Sequence, residues 1–482
     1  MNGAPLSQGN VSAAAVKSSI SIRSLSGQWP RLLAIGLILT GLIIAITRPW
    51  GLSAVESRTL AVVIGSIGLW ATGAVAESLT SVIFFAAAML ANVAPVQVVF
   101  SGLMSSPTWL VFTGVIIGAA VKRNGLGDWV AVRLAERMAG TYRREVVGMV
   151  LFGLITAFFV PSAMGRTVLI LPILVALSQQ LGYREGSRGF FGIVLAGVMG
   201  SYLPSYGILT ANVPNMVLAG VVEKTFGIPF RYADYLLLHF PVLGFLKAVV
   251  LTAVLFVIFG GKHQKVPTQS TQAHRPMSAK EKRLAVVLCL ALAVWATDSF
   301  HQINPAWVGL VVAALCLWPT FGLMPPRALQ TINLEPMIYV GGIISLGTLI
   351  THSGLAPRLA NWALSFIPLA PDHPVQDFAI LSGMSAILGL FTTQPGMPVV
   401  MGPLANHFAT SSGLPISAVL ITLVVGLSTV ILPYQAPPLV VAMQVTNAPR
   451  RDLTILTLVP AALGVLLLWP LDYLWVTLLG RF

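Results

Sequence analysis

Long uncharged apolar stretches recur along the whole chain, separated by short segments that carry the polar and charged residues. Three examples are 32–47, 284–297 and 453–469. With its flanking residues, each stretch approaches the roughly 20 residues that an α-helix needs to cross a bilayer. The pattern predicts an all-α polytopic membrane protein with about eleven transmembrane helices.

Two further apolar segments are interrupted in their middle by polar residues and prolines. Segment 146–180 is broken at 160–166, and segment 377–403 is broken at 392–398. Cationic residues flank the first segment at both ends, which indicates that it enters and leaves on one side of the membrane. Each segment is predicted to be a re-entrant hairpin, whose unwound tip must be buried in protein or line an aqueous cavity.

Two long helices are predicted to be broken as well, because proline-rich turns interrupt segments 190–221 and 416–446. The second half of the chain repeats the order of the first, and Gly125-Leu126 is echoed by Gly354-Leu355. With the first helix set aside, each half has an odd number of crossings, so the second copy lies upside down relative to the first. Such inverted repeats are typical of secondary transporters, in which broken helices meet near the bilayer midplane.

Composition and charge agree with this architecture and add its orientation. Only 9% of the residues are charged, against roughly a quarter in a soluble domain. The formal net charge is +13, and Lys and Arg cluster in two loops, 122–144 and 262–283. The positive-inside rule assigns such loops to the cytoplasm. The sequence therefore predicts an inner (plasma) membrane protein with a cytoplasmic N-terminus and an external C-terminus, and no binding to nucleic acid.

Arg166 is the most informative residue of the first hairpin tip. A guanidinium inside a membrane is costly unless it meets an anion, a carboxylate or water. It also pairs bidentately with carboxylate-like groups. Arg166 is therefore a candidate for anion binding through a fixed positive charge. The alternative is that its side chain reaches the cytoplasmic surface or caps the hairpin.

Polar residues and prolines at the hairpin tips and helix breaks complete the candidate substrate site, because free amides and helix N-termini favour anions there. Besides Arg166, the candidates are Ser162, Thr167, Thr392, Thr393, Gln394, Ser205, Tyr206, Asn212, Pro214, Asn215, Tyr434, Gln435 and Pro437. For each hydroxyl or amide side chain, capping of the backbone is the alternative role. Four ionisable residues could relay protons or lie at the membrane interface: Glu77, Lys247, Asp298 and Glu335.

Other classes of protein find little support in the sequence. Cys289 and Cys316 lie in apolar spans and indicate neither a disulfide framework nor a metal cluster. No His-Glu-x-x-His, Gly-x-Ser-x-Gly or nucleotide-binding loop is present, so no enzyme, no cofactor and no ATP-driven pump is predicted. A channel would show a polar stripe or a repeated filter sequence. An intramembrane enzyme and a channel stay as the less favoured alternatives.

The tips and breaks resemble those of the divalent anion:sodium symporter family, which includes di- and tricarboxylate and sulfate carriers. The first tip reads Ser162-Ala163-Met164 and the second Thr393-Gln394-Pro395, where the family carries Ser-Asn-Thr. The breaks read Asn212-Val213-Pro214-Asn215 and Ala436-Pro437-Pro438-Leu439, which are similar to the family's Thr-Pro-Pro-Asn turns. The resemblance covers roughly residues 30 to 480.

The resemblance implies a homodimer that moves small anions by an elevator-like mechanism, in which a transport domain slides against a scaffold. The implied segments are a cytoplasmic tail (1–30), scaffold (31–121), a cytoplasmic arm (122–145), transport domain (146–260), a cytoplasmic linker (261–283), scaffold (284–350), an external arm (351–376) and transport domain (377–482). Vestigial sodium sites would lie near Ser162, Ala163, Gly207, Thr393 and Gln394, with Arg166 supplying positive charge in place of a sodium ion. The coupling ion stays open between sodium, proton and counter-substrate. A sodium-coupled carboxylate or sulfate symporter with altered sites is the alternative.

Overall fold

The computed structural model describes residues 29–138, 140–160, 162–260, 276–367, 369–392 and 394–482. Within these ranges the backbone forms α-helices with short 3-10 and π segments, and no β-strand. The predicted all-α fold is confirmed. The predicted tail up to residue 28, linker residues 261–275 and Thr393 lie outside the described residues.

The first half of the chain consists of apolar helices joined by short turns. Helices of six or more residues are numbered in chain order: α1 (Trp29–Thr47), α2 (Ala54–Thr72), α3 (Glu77–Leu90), α4 (Ser106–Asn124), α5 (Leu126–Met138), α6 (Tyr142–Phe159), α7 (Ala163–Gln180), α8 (Arg188–Tyr202), α9 (Val213–Phe226) and α10 (Tyr232–Phe259). The break between α6 and α7 and the break between α8 and α9 both fall within the interruptions seen in the sequence.

The second half follows the same order. Its helices are α11 (Ala279–Ala296), α12 (Pro305–Leu317), α13 (Glu335–His352), α14 (Leu355–Leu364), α15 (Pro374–Phe391), α16 (Gly396–Met401), α17 (Ala405–Ser412), α18 (Ile416–Leu427), α19 (Pro437–Thr446) and α20 (Arg450–Leu478). The second arm of the second hairpin runs on to Ser412, past its predicted end at 403. It is interrupted at the 3-10 turn Gly402–Leu404, which contains Pro403.

Local geometry shows the duplication directly. Gly125 ends α4 with φ of 74°, and Gly354 follows α13 with φ of 82°. Glycine adopts this left-handed conformation without a steric penalty, so each long helix turns sharply into the amphipathic helix that follows. The angle between α13 and α14 is 83°. The last helix of each half also contains a π-helical segment, Phe240–Leu246 in α10 and Gly464–Leu468 in α20.

Several helices are long and apolar enough to cross a membrane. Among the described residues there are 7 such segments, or 8 if the bent pair α13 and α14 forms one span. The 7 segments are α1, α2, α7, Arg188–Gly207, α10, α15 and α20. Shorter apolar helices of 10–17 residues are α3, α12, α18 and α19. The exact number of crossings, set at about eleven from the sequence, stays a prediction.

The helices differ strongly in how far they are enclosed by protein. In α1 only 17% of the 18-residue apolar window is buried, whereas 100% of the corresponding window within Arg188–Gly207 is buried. Small residues allow α6 and α8 to cross at close range: a Cβ on Gly153 would lie 2.3 Å from the Gly197 carbonyl oxygen. Close packing of this kind drives helix association in lipid, where no hydrophobic force favours it. The first broken helix is therefore held inside the protein.

Candidate functional site

The two helix breaks lie against each other. Tyr202, the last residue of α8, donates its phenol hydrogen to the backbone carbonyl of Gln435 in the second break at 2.7 Å. The same hydroxyl lies 3.1 Å from the hydroxyl of Tyr206 in the first break. All three residues are buried. The halves of the repeat thus meet at their irregular segments, which is where transporters built on inverted repeats have their substrate sites.

Arg166 stands in the first turn of α7 and is fully buried. Its Nη1 donates to the carbonyls of Val160 at 2.7 Å and Ala211 at 2.5 Å, and its Nη2 donates to the carbonyl of Ser201 at 2.7 Å. Val160 follows the end of α6, Ser201 lies in the last turn of α8, and Ala211 precedes α9. The guanidinium therefore joins the first hairpin tip to the first helix break.

The charge of Arg166 is balanced by partial charges only. The C-terminal carbonyls of helices carry partial negative charge, and two of its three partners are of this kind. Among the described residues, no carboxylate forms an ion pair with Arg166, and its Nε has no hydrogen-bond partner. Capping of the hairpin, one of the two alternatives, is what the contacts show, and the side chain does not reach the surface. This geometry leaves a positive charge at the tip that capping does not neutralise.

The hydroxyl groups of the first tip serve the backbone. Ser162 Oγ accepts a hydrogen bond from the backbone amide of Gly165 at 3.2 Å, and Thr167 Oγ1 donates to the Ala163 carbonyl at 2.9 Å. Ser162 has φ of 121°, a strained value for a residue other than glycine. Strain of this kind persists where the surrounding structure imposes it, here at the tip.

The first break is held by two asparagines. Asn212 Oδ1 accepts from the backbone amide of Asn215 at 3.0 Å, and Asn212 Nδ2 donates to Ser205 Oγ at 3.3 Å. Asn215 Nδ2 donates to the carbonyl of Tyr206 at 3.1 Å. Pro214 occupies the first turn of α9, where its missing amide hydrogen is not needed. Side-chain amides thus replace the helical hydrogen bonds lost at the break.

Gln435 organises the second break in the same way. Its Oε1 accepts from the backbone amides of Ile431 and Leu432, each at 2.9 Å, and its Nε2 donates to the Gly389 carbonyl at 2.7 Å. Gly389 belongs to α15, so Gln435 joins the second break to the second hairpin. Two neighbouring candidates add hydrogen bonds: Tyr434 Oη donates to the Leu390 carbonyl at 2.5 Å, and Thr392 Oγ1 donates to the Leu388 carbonyl at 3.0 Å. A third candidate, Pro437, is the first residue of α19.

A few buried polar atoms in this region have no partner among the described residues. They are Arg166 Nε, Asn215 Oδ1, Gln394 Oε1 and Thr210 Oγ1. Buried polar groups are normally hydrogen-bonded, so each unpartnered atom calls for an explanation. Most of the other candidate side chains are engaged with the backbone. These four atoms are the buried polar atoms of the tips and breaks whose hydrogen-bonding capacity is unused.

Sodium binding at the first tip does not fit these contacts. Transporters hold sodium with unwound carbonyls and the C-terminal ends of half-helices. The carbonyls of Val160, Ser201 and Ala211 are of this kind, and they already accept from Arg166. Ala163 offers no side-chain oxygen. Gly207 is a close-packing residue, since a Cβ there would lie 2.9 Å from the Gly244 backbone nitrogen.

The four ionisable candidates have different surroundings. Asp298 caps α10, because its carboxylate accepts from the backbone amides of Tyr232 at 2.5 Å and Ala233 at 3.1 Å. Glu77 and Glu335 stand in the first turns of α3 and α13. Lys247 alone among the four lies in the interior of its span, and it is 4% exposed.

Sequence reasoning missed three residues of this region: Tyr202, Thr210 and Asp472. Tyr202 joins the two breaks, and Thr210 carries one of the unpartnered hydroxyls. Asp472 is a fully buried carboxylate in the long apolar helix α20. An ionisable residue inside such a span indicates a functional site by default, so the sequence alone could have identified Asp472 as a candidate.

Comparison with known proteins decides the family. The sequence profile described as the sodium:sulfate symporter transmembrane region matches residues 26–482. The chain belongs to this family. The resemblance to divalent anion:sodium symporters stated from the tips and breaks is thereby confirmed. Membership in this transporter family also makes the chain a multi-span membrane transporter and not an enzyme, as predicted.

Individual relatives agree with the family. A membrane protein of Cupriavidus necator is 26% identical over 442 residues, covering 86% of this chain and 85% of the relative. An L-tartrate/succinate antiporter of Escherichia coli strain K12 is 24% identical over 359 residues, covering 70% and 72%. The crystal structure of the Alcanivorax borkumensis YdaH transporter matches with a TM-score of 0.52 at 15% identity, covering 93% and 97% of the two chains. This structural match concerns the fold alone.

Proposed function

We propose that this family member is a secondary active transporter of small anions, such as di- or tricarboxylates, sulfate or related organic anions, across the inner membrane. The observation that carries the proposal is the buried guanidinium of Arg166 at the junction of a hairpin tip and a helix break, without a carboxylate partner. A charge in that position is costly unless an anion compensates it. Its unpartnered Nε is a donor for that anion.

The preferred substrates are dicarboxylates. Relatives that match 70% of the chain are named L-tartrate/succinate antiporters, and guanidinium groups bind carboxylates well. Arg166 supplies the positive charge that, by the family resemblance, a bound sodium ion would supply. Exchange of one anion for another then needs no sodium at the first tip, which agrees with the carbonyls being engaged by Arg166.

The proposed mechanism is an elevator movement of the transport domain (146–260 and 377–482) against the scaffold (31–121 and 284–350). Small residues where α9 packs on α13 support it. A Cβ on Gly220 would lie 2.3 Å from Ile344 Cδ1, and one on Gly347 would lie 2.8 Å from Val221 Cγ2. Helices that pack through glycines have few side chains projecting into the contact between them. The proposal includes a homodimer with a cytoplasmic N-terminus and an external C-terminus.

Transport in proteoliposomes tests this proposal. Uptake of labelled succinate, tartrate, citrate and sulfate is measured with and without a sodium gradient, a pH gradient and internal substrate. We expect dicarboxylate uptake that depends on internal substrate or on a pH gradient, and that falls at least about tenfold in Arg166→Lys, which corresponds to about 1.4 kcal/mol. Arg358→Lys is the matched control. Arg358 lies on α14, and its Nε forms a partly exposed ion pair with Glu56 Oε1 at 2.6 Å.

Two outcomes would contradict the proposal in different ways. Sodium-driven uptake that survives Arg166→Lys would favour the alternative, a sodium-coupled carboxylate or sulfate symporter with altered sites. No binding or flux of any anion by the folded wild-type protein would refute anion transport altogether.

A further inference from the structure

A buried carboxylate without a partner lies in the last helix of the protein. Asp472 of α20 is 0% exposed, and neither of its carboxylate oxygens has a hydrogen-bond partner. An ionised carboxylate that is removed from water without hydrogen bonds is strongly unfavourable, and such groups take up a proton or pair with a cation. Inside a membrane-spanning segment, a group of this kind marks a function by default.

The end of α20 that carries Asp472 packs against the π-helical segment Phe240–Leu246 of α10, and the buried cation Lys247 directly follows that segment. Its Nζ donates to the carbonyl of Ser428 at 2.5 Å and to the hydroxyl of Ser428 at 3.0 Å. Ser428 is the residue at which α18 ends and the second break begins. Lys247 therefore binds the C-terminal end of a half-helix rather than the carboxylate.

Aromatic residues connect Lys247 to the proposed anion site. Lys247 Nζ lies 5.8 Å from the centre of the Tyr206 ring. Tyr206 in turn contacts Tyr202, which donates to Gln435 in the second break. The Tyr206 side chain thus links Lys247 to both breaks, where the substrate is proposed to bind.

A cavity lies beside the first part of α10. It has a volume of about 180 Å³, and its lining includes Arg231, Asp234, Tyr235, His239 and Arg481. Tyr235 donates to the Tyr206 carbonyl at 3.0 Å. The cavity is large enough for several waters, and its lining residues Tyr235 and His239 belong to the part of α10 that contacts the end of α20.

Few other ionisable groups lie in the interior around Lys247 of α10 and Asp472 of α20. On these two helices and the elements packed against them, the buried ones away from the first turns of the packed helices include Tyr202, Tyr206, Tyr232, Tyr235, His239 and the capping residue Asp298. His239 lies beside Tyr235, with ring centres 4.5 Å apart. The charged residues of the packed helices α6, α8 and α15, and those at the start of α20, stand in first turns. Among the described buried carboxylates near α10 and α20, Asp472 is thus the one that stands neither in a first turn nor in a capping position.

We propose that Asp472 is the proton-binding site that couples anion transport to a proton gradient. A proton from water binds one Asp472 carboxylate oxygen when the anion binds, and it returns to water on the opposite side after the anion leaves. Arg166 and Lys247 then contribute two positive charges, which balance the two negative charges of a dicarboxylate. With Asp472 ionised and no substrate bound, the interior carries only one net positive charge. This inference rests on the proposed anion transport.

Proton coupling is tested with the wild-type protein and one variant in proteoliposomes. Succinate uptake is driven by a gradient of one pH unit, and internal pH is followed with a trapped dye. A single coupled proton supports accumulation up to about tenfold at this gradient. We expect succinate-dependent acidification in the wild type. In Asp472→Asn, the ratio of pH-driven uptake to succinate counterflow should fall at least about tenfold. Asp452→Asn, in the first turn of the same helix, is the control and should behave as the wild type.

The outcomes separate the inference from the function on which it rests. Counterflow in the wild type without any proton movement would overturn proton coupling and leave anion transport intact. Undiminished pH-driven uptake in Asp472→Asn would also overturn the assignment. An absence of counterflow for every anion would instead refute the proposed transport itself. If Asp472→Asn does not fold, the wild-type dye measurement still decides proton coupling, and Asp472→Glu, which keeps the carboxyl group and should keep pH-driven uptake, then tests the assignment.

Discussion

Replacing Arg166 by methionine should destabilise the protein and weaken anion binding together. The guanidinium donates to three buried carbonyls, those of Val160, Ser201 and Ala211, at 2.5–2.7 Å. Methionine fills a similar length but has no donor. An unsatisfied buried acceptor costs about 1–3 kcal/mol, while removing the buried charge returns part of that loss. We therefore expect a net destabilisation on the order of 3 kcal/mol.

Thermal unfolding of the purified protein in detergent measures this effect. A loss of this size should lower the melting temperature by roughly 5 °C or more. Arg358→Met is the control: its ion pair with Glu56 is partly exposed, and exposed pairs contribute about 0–1 kcal/mol. Succinate should raise the melting temperature of the wild type, because a ligand that binds only the folded state stabilises it. The same addition should have little effect on Arg166→Met.

Two results would refute this reasoning. If Arg166→Met melted at the wild-type temperature, the three carbonyl contacts would not hold the tip to the break. If it melted lower but still gained full stability from succinate, Arg166 would be a structural cap, and the anion would bind elsewhere.

Three further substitutions test the contacts of α9 with the proposed scaffold and the contact between the two helix breaks. Gly220→Leu should stop transport while leaving substrate binding measurable, because a side chain there collides with Ile344 across the proposed sliding surface; normal flux would contradict a sliding contact. Glu223→Ala should reduce the population of this conformation, because it removes the hydrogen bonds from Ser106 that join α9 to α4, worth about 1.5–3 kcal/mol; spin-label distances between the two helices measure the shift. Tyr202→Phe should lower stability by about 0.5–1.5 kcal/mol and weaken succinate binding, as followed by thermal unfolding with and without substrate.

The sequence by itself determined where the chain is helical and where it breaks. Apolar length, proline and glycine act locally: Gly125 and Gly354 end their helices because glycine tolerates the left-handed conformation. The hairpin break predicted at 160–166 is found between Phe159 and Ala163. Lipid strengthens these local rules, since backbone groups there must be satisfied within the segment itself or by buried partners. Family membership followed from the same breaks.

Only the tertiary structure decided which groups meet at those breaks. Arg166 binds carbonyls 35 and 45 residues away, Tyr202 reaches Gln435 across 233 residues, and Lys247 reaches Ser428 across 181. No hydropathy pattern contains these pairings, because they depend on how the two halves pack. The role of Arg166 as a cap and the lack of a hydrogen-bond partner for Asp472 are both consequences of that packing.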